Sequence, residues 1–373
     1  MKYYIIAGEA SGDLHASNLV AELKKLDNNV ALRGWGGDLM ITQGVNVIKH
    51  IKNLAFMGLA DVIKNLGTIL KNFKFCKADI LSYNPDVLIL VDYPGFNLRI
   101  AKFASQNGIK VFYYISPTVW AWHKSRISQI KKYVSRLFVI LPFEKDFYKK
   151  HNYEVDYAGN PLLDEYQHFI TLNVENTFKT DNNLSDKPII AILPGSRKQE
   201  VKIMLPEMIK LIKLYPEYQF VIAGVNSLGK DFYSNYIKEN EIKLIFGQTY
   251  NLLKNSYAAI VTSGTATLET AIFNIPQVVC YKTSPLTFYV ARLFVNVKYL
   301  ALINLILNKL AVKELIQTNF TFKNLKEEFQ KITKSENYRA ELFENYKLLS
   351  EELGGSGASK RTAELMYKYL TQK

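Results

Sequence analysis

The chain reads as an α/β protein of two halves, each a parallel sheet covered by helices. Three observations carry that reading. Short apolar runs alternate with amphipathic helical segments along almost the whole chain, which is the pattern of βαβ units. The alternation breaks at residues 170–187, a polar stretch with four Asn, and then restarts. The length, 373 residues, suits about two domains, each large enough to bury its own core.

Taken in order, an apolar run at 3–7 predicts the first strand. Gly8-Glu9-Ala10-Ser11-Gly12-Asp13 follows as a turn, and a helix then places Leu19, Val20, Leu23 and Leu26 on one face. Further strands are expected at 30–34, 87–91, 110–114, 137–141 and 155–157, with helical patterns between most of them. After the polar stretch they resume at 188–193, 218–223, 242–246, 259–262 and 277–281. Past residue 321 the chain turns helical and charged, and Gly354-Gly355-Ser356-Gly357 breaks it before a last helix at 358–370. The expected division is 1–168, 169–345 and a returning C-terminal segment, 346–373. Two such halves imply a cleft between them.

Composition narrows the class. There are 47 basic against 34 acidic residues, a net charge of +13, and 24 Tyr with 21 Phe. A basic, aromatic-rich chain points to an anionic partner: nucleic acid, a phosphorylated small molecule or a membrane surface. Cys76 and Cys280 are the only cysteines, which excludes a disulfide framework and a four-cysteine zinc site. The first residues, MKYYIIAGEASGD, run straight from a short apolar stretch into a Gly-rich turn and do not read as a signal peptide. No uncharged apolar stretch reaches about 18 residues, so no membrane-spanning helix is expected, and the protein is expected in the cytoplasm.

Six segments can carry chemistry. In open α/β sheets ligands sit beyond the carboxyl ends of the strands. The Gly8–Asp13 turn lies there, although it is equally a plain βα turn with Asp13 as an N-cap. Ser263-Gly264-Thr265-Ala266-Thr267-Leu268-Glu269 offers backbone N–H groups to a phosphate, with Glu269 one turn on to accept ribose hydroxyls. The competing view is a capping box in which Thr265 caps the helix. Pro194-Gly195-Ser196-Arg197 brings a fixed positive charge able to grip a diphosphate, or else a surface pair with Glu200. Asp92, in Asp92-Tyr93-Pro94-Gly95-Phe96-Asn97, ends a very apolar strand and can take a proton, or it caps the next helix. Ser116 to His123 holds two indoles, Trp120 and Trp122, as a platform for a ligand or as core. Leu59 to Phe73 is amphipathic with Lys64, Lys71, Lys74 and Lys77 alongside, so it is a core-facing helix or one that meets anionic lipid.

Together these segments resemble the lipid-A-disaccharide synthases. The resemblance spans essentially the whole chain and rests on seven ordered motifs: residues 7–13 (AGEASGD), 56–58 (FMG), 116–122 (SPTVWAW), 141–148 (LPFEKDFY), 193–197 (LPGSR), 263–269 (SGTATLE) and 312–317 (VKELIQ). It implies a two-domain GT-B fold of Rossmann-like halves. The implied reaction is an inverting transfer from UDP-2,3-diacylglucosamine to 2,3-diacylglucosamine 1-phosphate (lipid X), without a metal or other cofactor. Carried over residue by residue, Arg197, Ser263, Gly264, Thr265, Glu269 and Asn304 would hold UDP. Ser11 and Asn97 would line the acceptor side. Many relatives carry D-x-P-D-F-N, and the second Asp is a proposed base; here that position is Gly95, so the role is assigned to Asp92, with Glu9 second. The resemblance also implies a homodimer on the cytoplasmic face of the inner membrane, with Val62, Ile63, Leu66, Ile69, Leu70 and Phe73 meeting acyl chains. The alternative enzyme is a non-hydrolysing UDP-N-acetylglucosamine 2-epimerase of similar architecture. A nucleic-acid-binding protein is the least supported reading, since no recognition motif accompanies the charge.

Overall fold

A computed structural model describes residues 1–54, 66–120, 125–172, 177–237, 242–284, 288 and 297–372. The chain divides into two compact units, Met1–Asp164 with Gly354–Lys373, and Glu165–Leu353.

The first unit is built on seven strands: β1 (Lys2–Ala7), β2 (Ala31–Gly36), β3 (Asn46–His50), β4 (Val87–Val91), β5 (Lys110–Tyr114), β6 (Arg136–Val139) and β7 (Asp156–Tyr157). They pair in parallel in the order β3-β2-β1-β4-β5-β6-β7. Strands buried on both faces read as continuous apolar runs, and β4, VLILV, is buried at every position. One face packs Tyr4, Ile6, Leu88 and Leu90 with Trp35, Phe73 and Phe96. The other packs Tyr3, Ile5, Val87 and Ile89 with Leu19, Val20 and Leu23 of helix Ala10–Leu26.

The last helix, Ala358–Thr371, belongs to this second layer through Ala363 and Met366. Its N-terminus is capped from far along the chain: the Asp164 carboxylate accepts from the backbone N–H of Gly357, of Ala358 (3.1 Å) and of Ser359 (2.8 Å). Helix Glu336–Glu352 stays with the second unit, where Asn345 Nδ2 donates to the Ala311 carbonyl at 2.9 Å. The returning segment therefore begins at Gly354.

The second unit holds β8 (Ile189–Leu193), β9 (Gln219–Gly224), β10 (Lys243–Phe246), β11 (Ser256–Thr262), β12 (Gln277–Tyr281) and β13 (Glu314–Ile316). These are also parallel, in the order β10-β9-β8-β11-β12-β13. The polar stretch expected at 170–187 is shorter than its composition suggests. Helix Leu162–Leu172 runs into it, and Phe178 of the short helix Phe178–Asp181 is buried in the second core.

Both sheets reverse strand order at one point, between β1 and β4 in the first and between β8 and β11 in the second. At such a switch point the loops after the two strands diverge to opposite faces and leave a crevice at the carboxyl edge.

Candidate functional site

At the first switch point the loop after β1 is Gly8–Ser11 and the loop after β4 is Asp92-Tyr93. Gly8 is required there: a Cβ at this position would lie 2.3 Å from the Tyr93 ring. Asp92 and Tyr93 both adopt the left-handed region, with φ of 46° and 50°. For two consecutive non-glycine residues this is a cost that the surroundings must impose. They do so through backbone carbonyls. Asn97 Nδ2 donates to the carbonyls of Asp92 (2.8 Å) and Val91 (3.3 Å), and the Tyr113 hydroxyl donates to the Asp92 carbonyl (2.6 Å). Ile115, after β5, is also left-handed at φ 66°, and a β-branched residue there is a stronger outlier still.

Asp92 is half-buried, and its carboxyl is pushed up to about 6, first by burial and then by the negative charge of Glu9; His15 opposes the shift. Glu9 and Ser11 are exposed beside it in the chain. Asp92 does not cap the following helix, since Tyr93 occupies the N-cap of Pro94–Gln106. Asp13 caps no part of its own helix either. It is buried and accepts from the N–H of Gly37 (2.6 Å), Leu39 (3.1 Å) and Met40 (3.2 Å), so it fastens the start of helix Asp38–Thr42. Asn97, expected on the acceptor side, has a side chain 0% exposed, with its amide nitrogen spent on the Asp92 turn. His15, which the sequence reading did not single out, belongs to this group.

At the second switch point the loop after β8 is 194–197 and the loop after β11 is 263–265. Gly195 has φ 110°, and the Glu200 side chain lies where its Cβ would be. Glu200 Oε2 accepts from the N–H of Ser196 (3.1 Å) and Arg197 (3.2 Å), which closes the turn. The Arg197 side chain is 77% exposed, and its pair with Glu200 at 2.9 Å is a surface pair worth about 0–1 kcal/mol, so the guanidinium is available to a ligand. Gly264 and Thr265 are exposed, and Thr265 makes no side-chain cap, against the capping-box view.

Glu269 faces a neighbour that was not foreseen. Burial and the nearby Glu165 push its carboxyl up to about 7, while a hydrogen bond from Tyr250 acts the other way. The same Tyr250 hydroxyl donates to Glu165 Oε2 at 3.2 Å. Tyr250, Tyr166 and Phe169 pack around Phe273 at ring-centroid separations of 5.2, 5.0 and 5.6 Å. Asn304 is likewise turned inward. It is 0% exposed; its oxygen accepts from Val312 N–H (2.9 Å) and its nitrogen donates to the Val312 carbonyl (2.9 Å) and to Glu314 (3.0 Å). It shapes this edge of the sheet from beneath.

Two other motifs form one buried cluster. Glu144 is buried, accepts from Leu141 N–H at 3.0 Å, and is raised to about 8 by burial. The N–H groups of Leu141 and Ile140, with Ser116 and Trp120, oppose that rise. Ser116 Oγ in turn meets the Tyr148 hydroxyl at 2.7 Å, and Trp120 packs edge-on against Phe143 at 5.1 Å. Trp122, His123, the 56–58 motif, Val62 and Ile63 lie outside the described residues, as does the Leu66 side chain. Of the remaining acyl-contact candidates, Phe73 is a core residue, 9% exposed and stacked on Phe96 at 4.4 Å, and Ile69 packs against the same core. Leu70 alone faces out, 59% exposed.

Comparison with known proteins adds the following. Residues 3–366 match the family model described as lipid-A-disaccharide synthetase. The chain is 37% identical over 366 residues to a lipid-A-disaccharide synthase of Syntrophus aciditrophicus, covering 96% of this chain and 95% of that protein. It is 35% identical over 370 residues to one of Coxiella burnetii, covering 98% of each. Among solved structures, the UDP-GlcNAc 2-epimerase of Neisseria meningitidis bound to UDP-GlcNAc superposes with a TM-score of 0.68 at 16% identity, covering 99% of this chain and 100% of that one. At that identity the likeness speaks to the fold alone.

Proposed function

The chain belongs to the lipid-A-disaccharide synthase family, a family of glycosyltransferases, and from that premise we propose how its residues divide the reaction. The enzyme joins UDP-2,3-diacylglucosamine to lipid X through the acceptor 6-hydroxyl and releases UDP. The acceptor oxygen forms a bond to the anomeric carbon as the bond from that carbon to the diphosphate oxygen breaks, with inversion. Asp92 takes the hydroxyl proton. A base with a pKa near 6 stays ionised at neutral pH yet is a stronger proton acceptor than an ordinary carboxylate. Glu9 tunes that acid, and Ser11 faces the acceptor.

Arg197 and the backbone N–H groups of the exposed residues Gly264 and Thr265 take up the charge that grows on the departing diphosphate, and Ser263 shapes their turn. Glu269 accepts the ribose hydroxyls. The observation that carries this division is topological: the perturbed acid sits at one switch point, and the exposed Arg197 with the Gly-Thr turn sits at the other. The test is product analysis by mass spectrometry of purified protein given both lipid substrates. Disaccharide 1-phosphate and UDP are expected, and conversion of a UDP-sugar without acceptor would favour an epimerase instead.

The substrates carry acyl chains, so the protein meets a membrane surface peripherally, at the cytoplasmic face of the inner membrane; among the described residues no helix is long and apolar enough to cross one. The docking face on helix Leu66–Tyr83 is Leu70 and Leu81, 59% and 50% exposed and on one side of the helix, with exposed Lys74 on the same side. Leu70→Ser with Leu81→Ser is expected to reduce flotation with vesicles containing anionic lipid; unchanged flotation removes this face. Two copies associate as a homodimer, which sedimentation at working concentration checks.

A further inference from the structure

One motif of the sequence, residues 312–317, has no part in the reaction as derived so far, yet its side chains and backbone are bonded along the whole of β13. Glu314 opens β13. Its Oε1 accepts three hydrogen bonds: from Leu300 N–H (3.0 Å), from Ala301 N–H (2.6 Å) and from Asn304 Nδ2 (3.0 Å). Three residues on, Gln317 stands at the end of β13 with φ 51°, and its Oε1 accepts from Thr283 N–H at 3.1 Å. A non-glycine residue is kept in that region only where its neighbours impose it.

Leu300 is the link to the nucleotide turn. Its carbonyl accepts from Ser263 Oγ at 3.2 Å, while the Ser263 N–H is already spent on the Cys280 carbonyl at 2.9 Å. Ser263 is thus tied at its backbone to β12 and at its side chain to Leu300, and Leu300 is tied to Glu314. An anion cradle built from backbone N–H groups works only when those groups are preorganised. Here the side-chain support of the first residue of the cradle ends on one carboxylate oxygen.

We propose that Glu314 is a positioning residue for nucleotide binding: through Leu300 and Ala301 it holds the Ser263–Thr265 turn in the shape that receives the diphosphate. The proposal rests on the reading of that turn as the nucleotide cradle. It makes no contact between Glu314 and substrate, so the effect falls on nucleotide affinity and leaves the acceptor untouched.

The experiment compares Glu314→Gln, Glu314→Asp and Ser263→Ala by UDP titration calorimetry and by steady-state kinetics against each substrate. Gln keeps an acceptor oxygen at the same reach, so Glu314→Gln is expected to bind UDP within about twofold of the parent. Asp draws the oxygen back by one methylene and loses at least part of the three-donor set. Glu314→Asp is therefore expected to weaken UDP binding and raise the KM for the UDP-sugar about tenfold, with the acceptor KM unchanged. The double variant Ser263→Ala/Glu314→Asp is expected to be little worse than Glu314→Asp, because the two act in series. Equal UDP affinity for Glu314→Asp and the parent overturns the proposal, as does an equal rise in both KM values. The two failures separate cleanly: Arg197→Ala and Ser263→Ala that also leave UDP binding intact overturn the cradle itself, whereas weakened binding in those two with an unaffected Glu314→Asp overturns only the role of Glu314.

Discussion

The two switch points are built from the same topology and solved differently. The first is strained and charged. Asp92 and Tyr93 occupy left-handed backbone without being glycine, and the half-buried carboxyl belongs to one of them. The second is relaxed in its switch-point loops: the left-handed position after β8 is Gly195, Glu200 closes that turn, and its cation is exposed. Strain survives only where packing and hydrogen bonds over-determine it, and it concentrates where a group must be held in an unfavourable state. Under the proposed division, the first site holds a reactive acid and the second receives a ready-made anion.

Asp92→Asn breaks the comparison most sharply. It removes the proton acceptor and keeps the shape, so kcat is expected to fall about 10²–10⁴-fold. The same change stabilises the protein. The folded-state value near 6 lies above the ordinary 3.8. Folding therefore disfavours the ionised form, and stability falls as pH rises from about 4 through about 6. Relief of that penalty is worth up to about 3 kcal/mol at pH 7.5 and vanishes near pH 4. Melting curves of parent and variant at both pH values check the sign. Near-normal kcat in Asp92→Asn would sink the assignment. Gly95 sharpens it further: a Cβ there meets nothing within 4 Å, so Asp92→Asn/Gly95→Asp is sterically free to form. Recovery of activity in that double variant would move the base to position 95.

Arg197→Ala is next in size. Loss of a charged hydrogen-bonding partner to a diphosphate is worth about 1.5–3 kcal/mol, or roughly 10- to 100-fold. The expected result is a higher KM for the UDP-sugar and weaker UDP binding, with melting temperature nearly unchanged, because the pair with Glu200 is exposed. Gly8→Ala gives the converse pattern at the first switch point. Its new Cβ would sit 2.3 Å from the Tyr93 ring. The ring must move, at a cost of about 1–3 kcal/mol in stability, and the Asp92 turn moves with it. A Gly8→Ala protein as stable as the parent would mean that the first crevice is looser than its hydrogen bonds imply.

Much of this was legible in the sequence because strand periodicity and loop chemistry coincide. Residues 87–91, 110–114 and 277–281 are strands at the expected bounds, since fully buried parallel strands are unbroken apolar runs. The edge strands β3 and β13 were missed. Asn46–His50 is polar and only partly buried, and Glu314–Ile316 is too short to show a period. Site residues divided by reach. Arg197, Ser263, Asp92 and Glu9 stand in the loops where their motifs placed them. Asn97 and Asn304 also lie at the sites, but turned inward onto backbone. A motif marks a position as constrained without saying whether the side chain faces a ligand or the scaffold. Glu165 was invisible for another reason: it is 104 residues from Glu269 in sequence, and only the meeting of helices Leu162–Leu172 and Ala266–Ile272 around Tyr250 couples them.

The smallest expected effect compares the two perturbed acids directly. Asp92 is raised to about 6 and Glu269 to about 7, so catalysis and nucleoside binding should fail at different acidities. Ionised Glu269 accepts ribose hydroxyls more strongly than its protonated form, a difference on the order of 1 kcal/mol or about fivefold. Uridine, which has no phosphate to titrate, isolates this contribution. Its affinity should drop as pH falls through about 7, while kcat/KM should drop again below about 6 as Asp92 takes up a proton. Glu165→Gln removes the neighbouring negative charge that helps raise Glu269, so it should shift the uridine profile to lower pH and leave the limb from Asp92 in place. Uridine binding that is flat between pH 5.5 and pH 8 would place the ribose away from Glu269. The coupled acids of the second unit would then be a feature of its packing, and the contrast between a strained catalytic crevice and a relaxed binding one would rest on Arg197 and the Ser263 turn alone.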